Sequence, residues 1–297
     1  MKRKYWRLIA SVGLFIIIVI LFQFTGIFQK NSIDDRDKAY WNYSDGKIID
    51  SNPFTLQGND DCWLLIHSYV STPDEMRPLA TAINTELNHT VKAILLRGHG
   101  TYPSDIVNLT LDDWYDQAEQ ELIQLQKDCT NVNVVGSSLG GTITTKLAEE
   151  HDFNKVVLVN PYLKLSHKPQ YVFELESYIR WFSDILLYDK KTKLIQVNDP
   201  VGLQNHIAYW NMPFQPIKNS LDEIENIRNN FDKINEPILI LHSHNDVTAD
   251  YKSVELLYDC VESESKQLKW YDDSVHILLA DYNRTQVIND IIEFGKK

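Results

Sequence analysis

An α/β architecture, with a mostly parallel central sheet covered by helices on both faces, is predicted by three features of this 297-residue chain. Short β-branched runs alternate with amphipathic stretches. The alternation breaks once, between about residues 161 and 236, and then resumes. A Gly-x-Ser-x-Gly pentapeptide stands at one strand-to-helix junction. A hydrophobic content of 43% is enough for one large core.

The alternation starts with Trp63-Leu64-Leu65-Ile66, a buried strand, followed by a helix over 76–87 and a strand over 91–96. Leu111, Trp114, Tyr115, Ala118, Leu122 and Leu125 recur at three- and four-residue intervals, which predicts a long amphipathic helix capped near Thr110. Val132-Asn133-Val134-Val135 reads as the next strand, 142–151 as a helix and 156–159 as a strand. After Pro237 come a strand over 238–241, a helix bearing Tyr251, Val254, Leu257 and Val261, a strand over 268–271, and a final helix with Val287, Ile288, Ile291 and Ile292 on one side. The intervening 161–236 is helical or irregular and rich in rings, among them Tyr162, Phe173, Trp181, Phe182 and Tyr209. It reads as an insertion in one fold. Its rings are either the core of a small helical subdomain or the inner face of a cap over an apolar substrate.

Residues 8–28 carry no charge and are dominated by Ile, Leu, Val and Phe. At ~1.5 Å per residue they would span roughly 30 Å, the thickness of a bilayer's hydrocarbon core. No small-residue cleavage site closes the run, so a retained anchor is expected rather than a signal peptide. Lys2, Arg3, Lys4 and Arg7 precede it, which points the N-terminus to the cytoplasm and the globular part outside. The expected organisation is a basic flank (1–7), a transmembrane anchor (8–28), a polar tether (29–46) and a domain over 47–297 with its cap at about 161–236. The formal net charge is −12, and because those four residues supply four positive charges, the remaining 290 carry −16. Such a balance disfavours nucleic acid as a partner. Three cysteines, Cys62, Cys129 and Cys260, without short spacing argue against a disulfide framework or a zinc site. One disulfide is possible, but buried free thiols are the expectation, with Cys260 on an apolar helix face.

The chemistry centres on Gly136-Ser137-Ser138-Leu139-Gly140-Gly141. Between a strand and a helix this pattern describes a nucleophile elbow, in which Ser138 is pushed into the open. A serine hydroxyl needs an imidazole to take its proton and a carboxylate to orient that imidazole. Two later strands end in loops that supply both: Leu239-Ile240-Leu241-His242-Ser243-His244-Asn245-Asp246, and Lys269-Trp270-Tyr271-Asp272-Asp273-Ser274-Val275-His276. The order Ser138, Asp246, His276 is the one this architecture requires. Asp250 is the runner-up acid. His242 and His244 are expected in hydrogen bonds of the acid loop, Asp272 and Asp273 in a turn, and His67 and His99 in structural bonds at strand ends. Scattered His and acid residues show no metal-ligand spacing.

From about residue 54 to 294 the chain resembles the α/β-hydrolase superfamily, and within it the bacterial carboxylesterase and monoacylglycerol lipase branch. The resemblance is carried by the stretch from Leu65-Ile66-His67-Ser68-Tyr69 to Met76-Arg77-Pro78-Leu79, by Arg97-Gly98-His99-Gly100-Thr101, the elbow, Tyr209-Trp210-Asn211-Met212-Pro213 and Asp273-Ser274-Val275-His276. It implies Ser138 as nucleophile, His276 as general base, Asp246 as its orienter, and the backbone N–H groups of Tyr69 and Leu139 as oxyanion donors. It further implies cleavage of carboxylic esters without metal or organic cofactor, and the ring-rich insertion and the apolar run fit an ester with an apolar acyl group. Where the family has His-Gly-Phe-x-Gly, this chain has His67-Ser68-Tyr69-Val70-Ser71, and the glycines before the acid and the base are Ser243 and Val275. These four replacements motivate a second reading, a catalytically weak or silent member that binds a small ligand or partner under the cap.

Overall fold

The computed structural model describes residues 5, 11–18, 34–35, 37–166, 173–183, 188–190 and 196–297. Its centre is a seven-stranded sheet: β1 (Phe54–Leu56), β2 (Asn59–Ile66), β3 (His89–Ile94), β4 (Asn131–Ser137), β5 (Lys155–Val159), β6 (Ile238–Ser243) and β7 (Lys266–Tyr271). The spatial order is β7-β6-β5-β4-β2-β3-β1. All neighbours are parallel except β1, which runs antiparallel to β3 at the edge. Every expected strand is present; the three-residue β1 is an addition.

The helices are α1 (Arg77–Leu87), α2 (Leu111–Asp128), α3 (Leu139–Glu150), α4 (Leu175–Phe182), α5 (Pro200–Asn205), α6 (Gln215–Arg228), α7 (Tyr251–Cys260) and α8 (Arg284–Gly295). Alternate residues of β2 serve opposite faces, as the pleat demands. Trp63 and Leu65 join a core with Leu79, Ile83, Val287 and Ile291 of α1 and α8. Leu64 and Ile66 join one with Trp114, Leu122, Ile143 and Val254 of α2, α3 and α7. Thr110 caps α2 as expected, its hydroxyl accepting from the Asp113 N–H while the Asp113 carboxylate accepts from the Thr110 N–H.

The insertion between β5 and β6 carries α4, α5, α6 and a two-stranded ribbon in which Tyr188–Lys190 pairs with Asn211–Pro213. Its rings do not form the inner face of a cap as one set. Tyr209 is fully buried and its hydroxyl donates to Gly98 O, whereas Phe173, Trp181 and Phe182 are exposed.

Two N-terminal expectations change. Among the described residues no helix is long and apolar enough to cross a membrane. Of the expected anchor over 8–28, residues 11–18 are helical with Leu14, Phe15 and Ile17 exposed, and the rest lies outside the described residues. The expected tether over 29–46 is not free from Asp34 onward. Asp34 accepts from the N–H and hydroxyl of Ser104, and fully buried Asp37 accepts from Trp210 N at 2.7 Å and Asn211 Nδ2 at 2.7 Å. Burial raises the Asp37 carboxyl above the usual range despite those bonds. The polar residues that read as tether are thus partners for Ser104 and for Trp210 and Asn211 of the insertion, which composition alone does not reveal.

The cysteine expectation is also corrected. Cys62 at the start of β2 and Cys129 at the end of α2 form a disulfide with Cα atoms 5.9 Å apart, and Cys260 is exposed. Chain-entropy reasoning for a loop of 67 residues gives about 4 kcal/mol of stabilisation. Cys129→Ser is therefore expected to lose up to that amount, read as a lower denaturant midpoint that the reductant-treated wild type reproduces.

Candidate active site

The site lies where β2, β4, β5, β6 and β7 end, since parallel strands deliver their following loops to one edge. Ser138 follows β4 directly and starts α3. Its backbone, at φ 51° and ψ −112°, is in a region that L side chains rarely adopt. Its N–H is fixed to Val159 O at 3.0 Å, and its carbonyl accepts from Thr142 and Tyr162. The flanking glycines serve close packing. A Cβ on Gly136 would come 2.1 Å from Gly140 O, and one on Gly140 would come 2.1 Å from Ile66 O. Glycine at both places lets α3 start against the end of β2, beside the loop of Tyr69.

Ser138 Oγ lies 2.7 Å from Nε2 of His276, and Nδ1 of the same ring lies 2.7 Å from Oδ2 of Asp246. With its proton on Nδ1, the ring donates to the carboxylate and can accept from the serine hydroxyl. Oδ1 of Asp246 accepts from Thr248 N at 2.7 Å and Ala249 N at 3.0 Å. Burial works to raise the Asp246 carboxyl, but the His276 bond and charge, the nearby His242 and the Thr248 N–H outweigh it and hold the group below the ordinary carboxylate range. The acid is thus kept ionised beside the imidazole.

Asp250, the runner-up acid, instead caps α7 by accepting from Lys252 N at 3.1 Å. His242 belongs to β6 rather than to the loop; its Nε2 stands 3.8 Å from Asp246, too far for a hydrogen bond, and burial pushes its pKa down to about 4. His244 pairs with Asp272 at 2.7 Å and stacks on Trp270. Asp273 is exposed. His67 donates through Nδ1 to Ser68 O and accepts through Nε2 from Leu96 N, a neutral tautomer that agrees with a pKa driven well below normal by burial. His99 is bonded to Arg97 O. Among the described residues one cluster, Glu119, Glu150 and His151, has ligand atoms close enough for a metal, but it is satisfied internally: Tyr115 OH donates to Glu150, and His151 bonds Glu119 at 2.8 Å.

The loop that has lost its family glycines is held by other means. Ser68 and Ser71 have ordinary negative φ, and the left-handed turn falls on Val70 at φ 60°. The Ser68 hydroxyl donates to Glu75 Oε1 at 2.7 Å, and its N–H reaches Glu75 Oε2 at 3.3 Å. Val70 O accepts from Tyr209 N, and the Tyr69 hydroxyl donates to Pro213 O at 2.8 Å. Ser243 ties the acid loop to the base loop through Ser274 O at 2.5 Å, and Val275 N donates to Asp281 at 2.8 Å. Each replaced glycine therefore sits where a side chain or backbone bond fixes the loop. Glu75→Ala is expected to lower kcat about 10- to 100-fold with KM little changed, because a loosened Tyr69 amide fails the transition state before it fails binding.

Sequence reasoning missed Asn160. It stands at φ 41° directly after β5, donates through Nδ2 to Val275 O and His276 O, and accepts at Oδ1 from Ser243 N. One amide thus joins the base loop to the acid loop. The available signal was its place, an Asn-Pro pair at the carboxyl end of a strand beside the elbow.

Above the serine is a pocket with about 590 Å³ of empty space, its open mouth included. Tyr69, Leu139, Ser138 and His276 line its floor; Trp114, Leu165, Met212, Pro216 and Ile217 line its apolar walls. No carboxylate is among the described lining residues.

Comparison with known proteins places the fold in a family. A carboxylesterase of Bacillus subtilis (strain 168) is 27% identical over 253 residues, covering 84% of this chain and 98% of its own. A thermostable monoacylglycerol lipase of Bacillus sp. (strain H-257) is 27% identical over 251 residues, covering 83% of this chain and 95% of its own. Among solved structures, a chain from a study of the metagenome-derived lipolytic enzymes LipS and LipT superposes with a TM-score of 0.74 at 22% identity, covering 86% of this chain and all of that one. The profile of Hydrolase_4, described as serine aminopeptidase, S33, matches residues 60–283. That span holds the elbow, both partner loops and the whole insertion, so the chain belongs to the Hydrolase_4 family of α/β-hydrolase enzymes and is a hydrolase similar to carboxylesterases and monoacylglycerol lipases.

Proposed function

We propose that the chain is a membrane-anchored serine esterase that cleaves carboxylic esters with an apolar acyl group through Ser138, His276 and Asp246. The observation that carries this reading is the continuous hydrogen-bonded chain from Ser138 Oγ through His276 to Asp246 at the floor of an apolar pocket. His276 takes the serine proton as Oγ attacks the carbonyl carbon. The developing oxyanion is received by the N–H groups of Tyr69 and Leu139, the latter at the positive end of α3. Collapse of the tetrahedral intermediate expels the alcohol, which takes the proton back from Nε2. Water then attacks the acyl-enzyme with His276 again as base, and Ser138 is regenerated.

An ester is favoured over an aminopeptide. The family description names an aminopeptidase, whose substrate carries a free ammonium group, and a buried ammonium needs an anionic partner. The described lining offers none. The silent-binder reading is disfavoured because the replaced glycines are compensated by Glu75, Ser243 and Asp281. Two observations support placement outside the cytoplasm: the apolar run over 8–28, and the Cys62–Cys129 disulfide, which persists in an oxidising compartment. A fluorophosphonate probe and a panel of p-nitrophenyl esters graded in acyl length test the activity. Labelling with a preference for apolar acyl groups is expected, and a folded wild type that neither labels nor turns over any ester would overturn it.

A further inference from the structure

The oxyanion loop is braced by a part of the chain that the family profile does not cover. The profile starts at residue 60, whereas Asp37 and Trp41 precede it. Residues 37–40 are helical, with Trp41 N donating to Asp37 O at 2.9 Å, and this turn lies against the stretch 207–213 of the insertion. Trp210 N donates to Asp37 Oδ1 at 2.7 Å, Asn211 Nδ2 to Asp37 Oδ2 at 2.7 Å, and Trp41 Nε1 to Ala208 O at 3.0 Å. The Tyr40 ring stands edge-on to Trp210, with centroids 4.4 Å apart.

The backbone groups in between bond the other way. Tyr209 N donates to Val70 O at 2.9 Å, Ile207 O accepts from the Ser71 hydroxyl at 3.4 Å, and Pro213 O accepts from the Tyr69 hydroxyl at 2.8 Å. Successive residues of an extended chain turn their N–H and C=O to opposite edges, so one stretch can serve two partners. Here 208 and 210 face the N-terminal turn, and 207, 209 and 213 face the oxyanion loop.

That loop needs a restraint from outside. Val70 is β-branched and sits at φ 60°, a conformation that persists only where the surroundings over-determine it. Its carbonyl is held by Tyr209 N, and Tyr209 is itself fixed by a fully buried ring whose hydroxyl bonds Gly98 O and Thr101 N. Asp37 is fully buried too. A buried carboxylate is costly unless it is bonded, and what this one adds over an apolar contact is a fixed position for Trp210 N and Asn211.

We infer that Asp37 is a positioning residue for the proposed reaction: with Trp41 it braces 207–213, and through that stretch it holds the Tyr69 N–H where the oxyanion forms. This rests on the esterase reading given above. Glu75 grips the same loop at Ser68, so the amide is held from both sides. Met212, on the braced stretch, lines the acyl pocket, which gives the competing explanation its own signature. A shifted pocket wall raises KM, whereas a shifted oxyanion donor lowers kcat.

The test is Asp37→Ala in the full chain, assayed with p-nitrophenyl butyrate and with a trifluoromethyl ketone of the same acyl chain, whose adduct with Ser138 places an oxyanion between the two amides. Expected are a fall of about tenfold in kcat, KM within about twofold of wild type, and ketone binding weaker by about tenfold. Wild-type kcat overturns the inference. So does a loss confined to KM with ketone binding unchanged, which would place the effect at Met212. Should Asp37→Ala not fold, Trp41→Phe keeps a ring and removes the bond to Ala208 O; about threefold losses of kcat and of ketone affinity are expected, and no change in either overturns the inference. Hydrogen exchange reads the coupling without turnover: Asp37→Ala should exchange faster over 67–72 and as wild type over 238–243. Unchanged exchange over 67–72 overturns the bracing, and a wild type that hydrolyses no ester refutes the proposed activity while the exchange result still decides the coupling.

Discussion

Ser138→Ala is expected to lower kcat for a good ester by on the order of 10⁵- to 10⁶-fold, with KM for the same ester little changed. The hydroxyl is the group that stands 2.7 Å from Nε2 of His276, and the apolar pocket walls that would hold the acyl group are untouched by the substitution. His276→Ala should cost about as much, and the double variant scarcely more, because nucleophile and base act as one unit. Residual turnover above water would then come from the Tyr69 and Leu139 amides and the pocket. The backbone provides an independent check. At φ 51° and ψ −112° a Cβ is costly, so Ser138→Gly should be more stable than Ser138→Ala by about 1 kcal/mol while equally inactive. A denaturant titration of the two variants reads that difference; equal midpoints would mean that the elbow stores no strain, and undiminished turnover in Ser138→Ala would remove the nucleophile.

What the sequence disclosed and what it hid follow from the range of the interactions involved. The strands of the parallel sheet were legible because they are buried on both faces and so read as continuous runs, as in Val132 to Val135 and Ile238 to Leu241. Parallel topology then sends their loops to one edge, which brings Ser138, Asp246 and His276 together although they are 108 and 30 residues apart in sequence. Asn160 was not legible, because an amide that ties two distant loops has no periodicity and no special composition. The pairing of Cys62 with Cys129 depends on the end of α2 meeting the start of β2, a distance no spacing rule contains. Asp37 looked like a residue of a solvated tether because its polarity is the same whether water or the backbone of Trp210 satisfies it. The rings of 161–236 misled in another way: aromatic content reports that apolar surface must go somewhere, and the pocket wall turned out to be mainly aliphatic while three rings face outward.

Asp246→Asn is expected to reduce kcat by on the order of 10⁴-fold without displacing the loop, and the hydrogen bonds explain why so small a change is so damaging. Thr248 N and Ala249 N both need an acceptor at Oδ1. An asparagine in this place must turn its carbonyl oxygen to them, and so presents its NH₂ to Nδ1 of His276. That forces the imidazole proton onto Nε2, where it faces Ser138 and can no longer accept the serine's proton. The loss is thus one of tautomer as well as charge. Charge matters too: the folded carboxyl is held below its unfolded value, so the stability it contributes is present above the unfolded pKa of about 3.9 and is lost only as pH falls through the lower, folded value. The neutral side chain in Asp246→Asn should therefore flatten the acid end of the stability profile as well as depress turnover. Asp250→Asn removes a carboxylate four residues away but keeps a capping oxygen for Lys252 N, so kcat should stay within a few-fold of wild type. Steady-state kinetics on the two variants decide the assignment, and a larger loss in Asp250→Asn would move the acid of the triad to the head of α7.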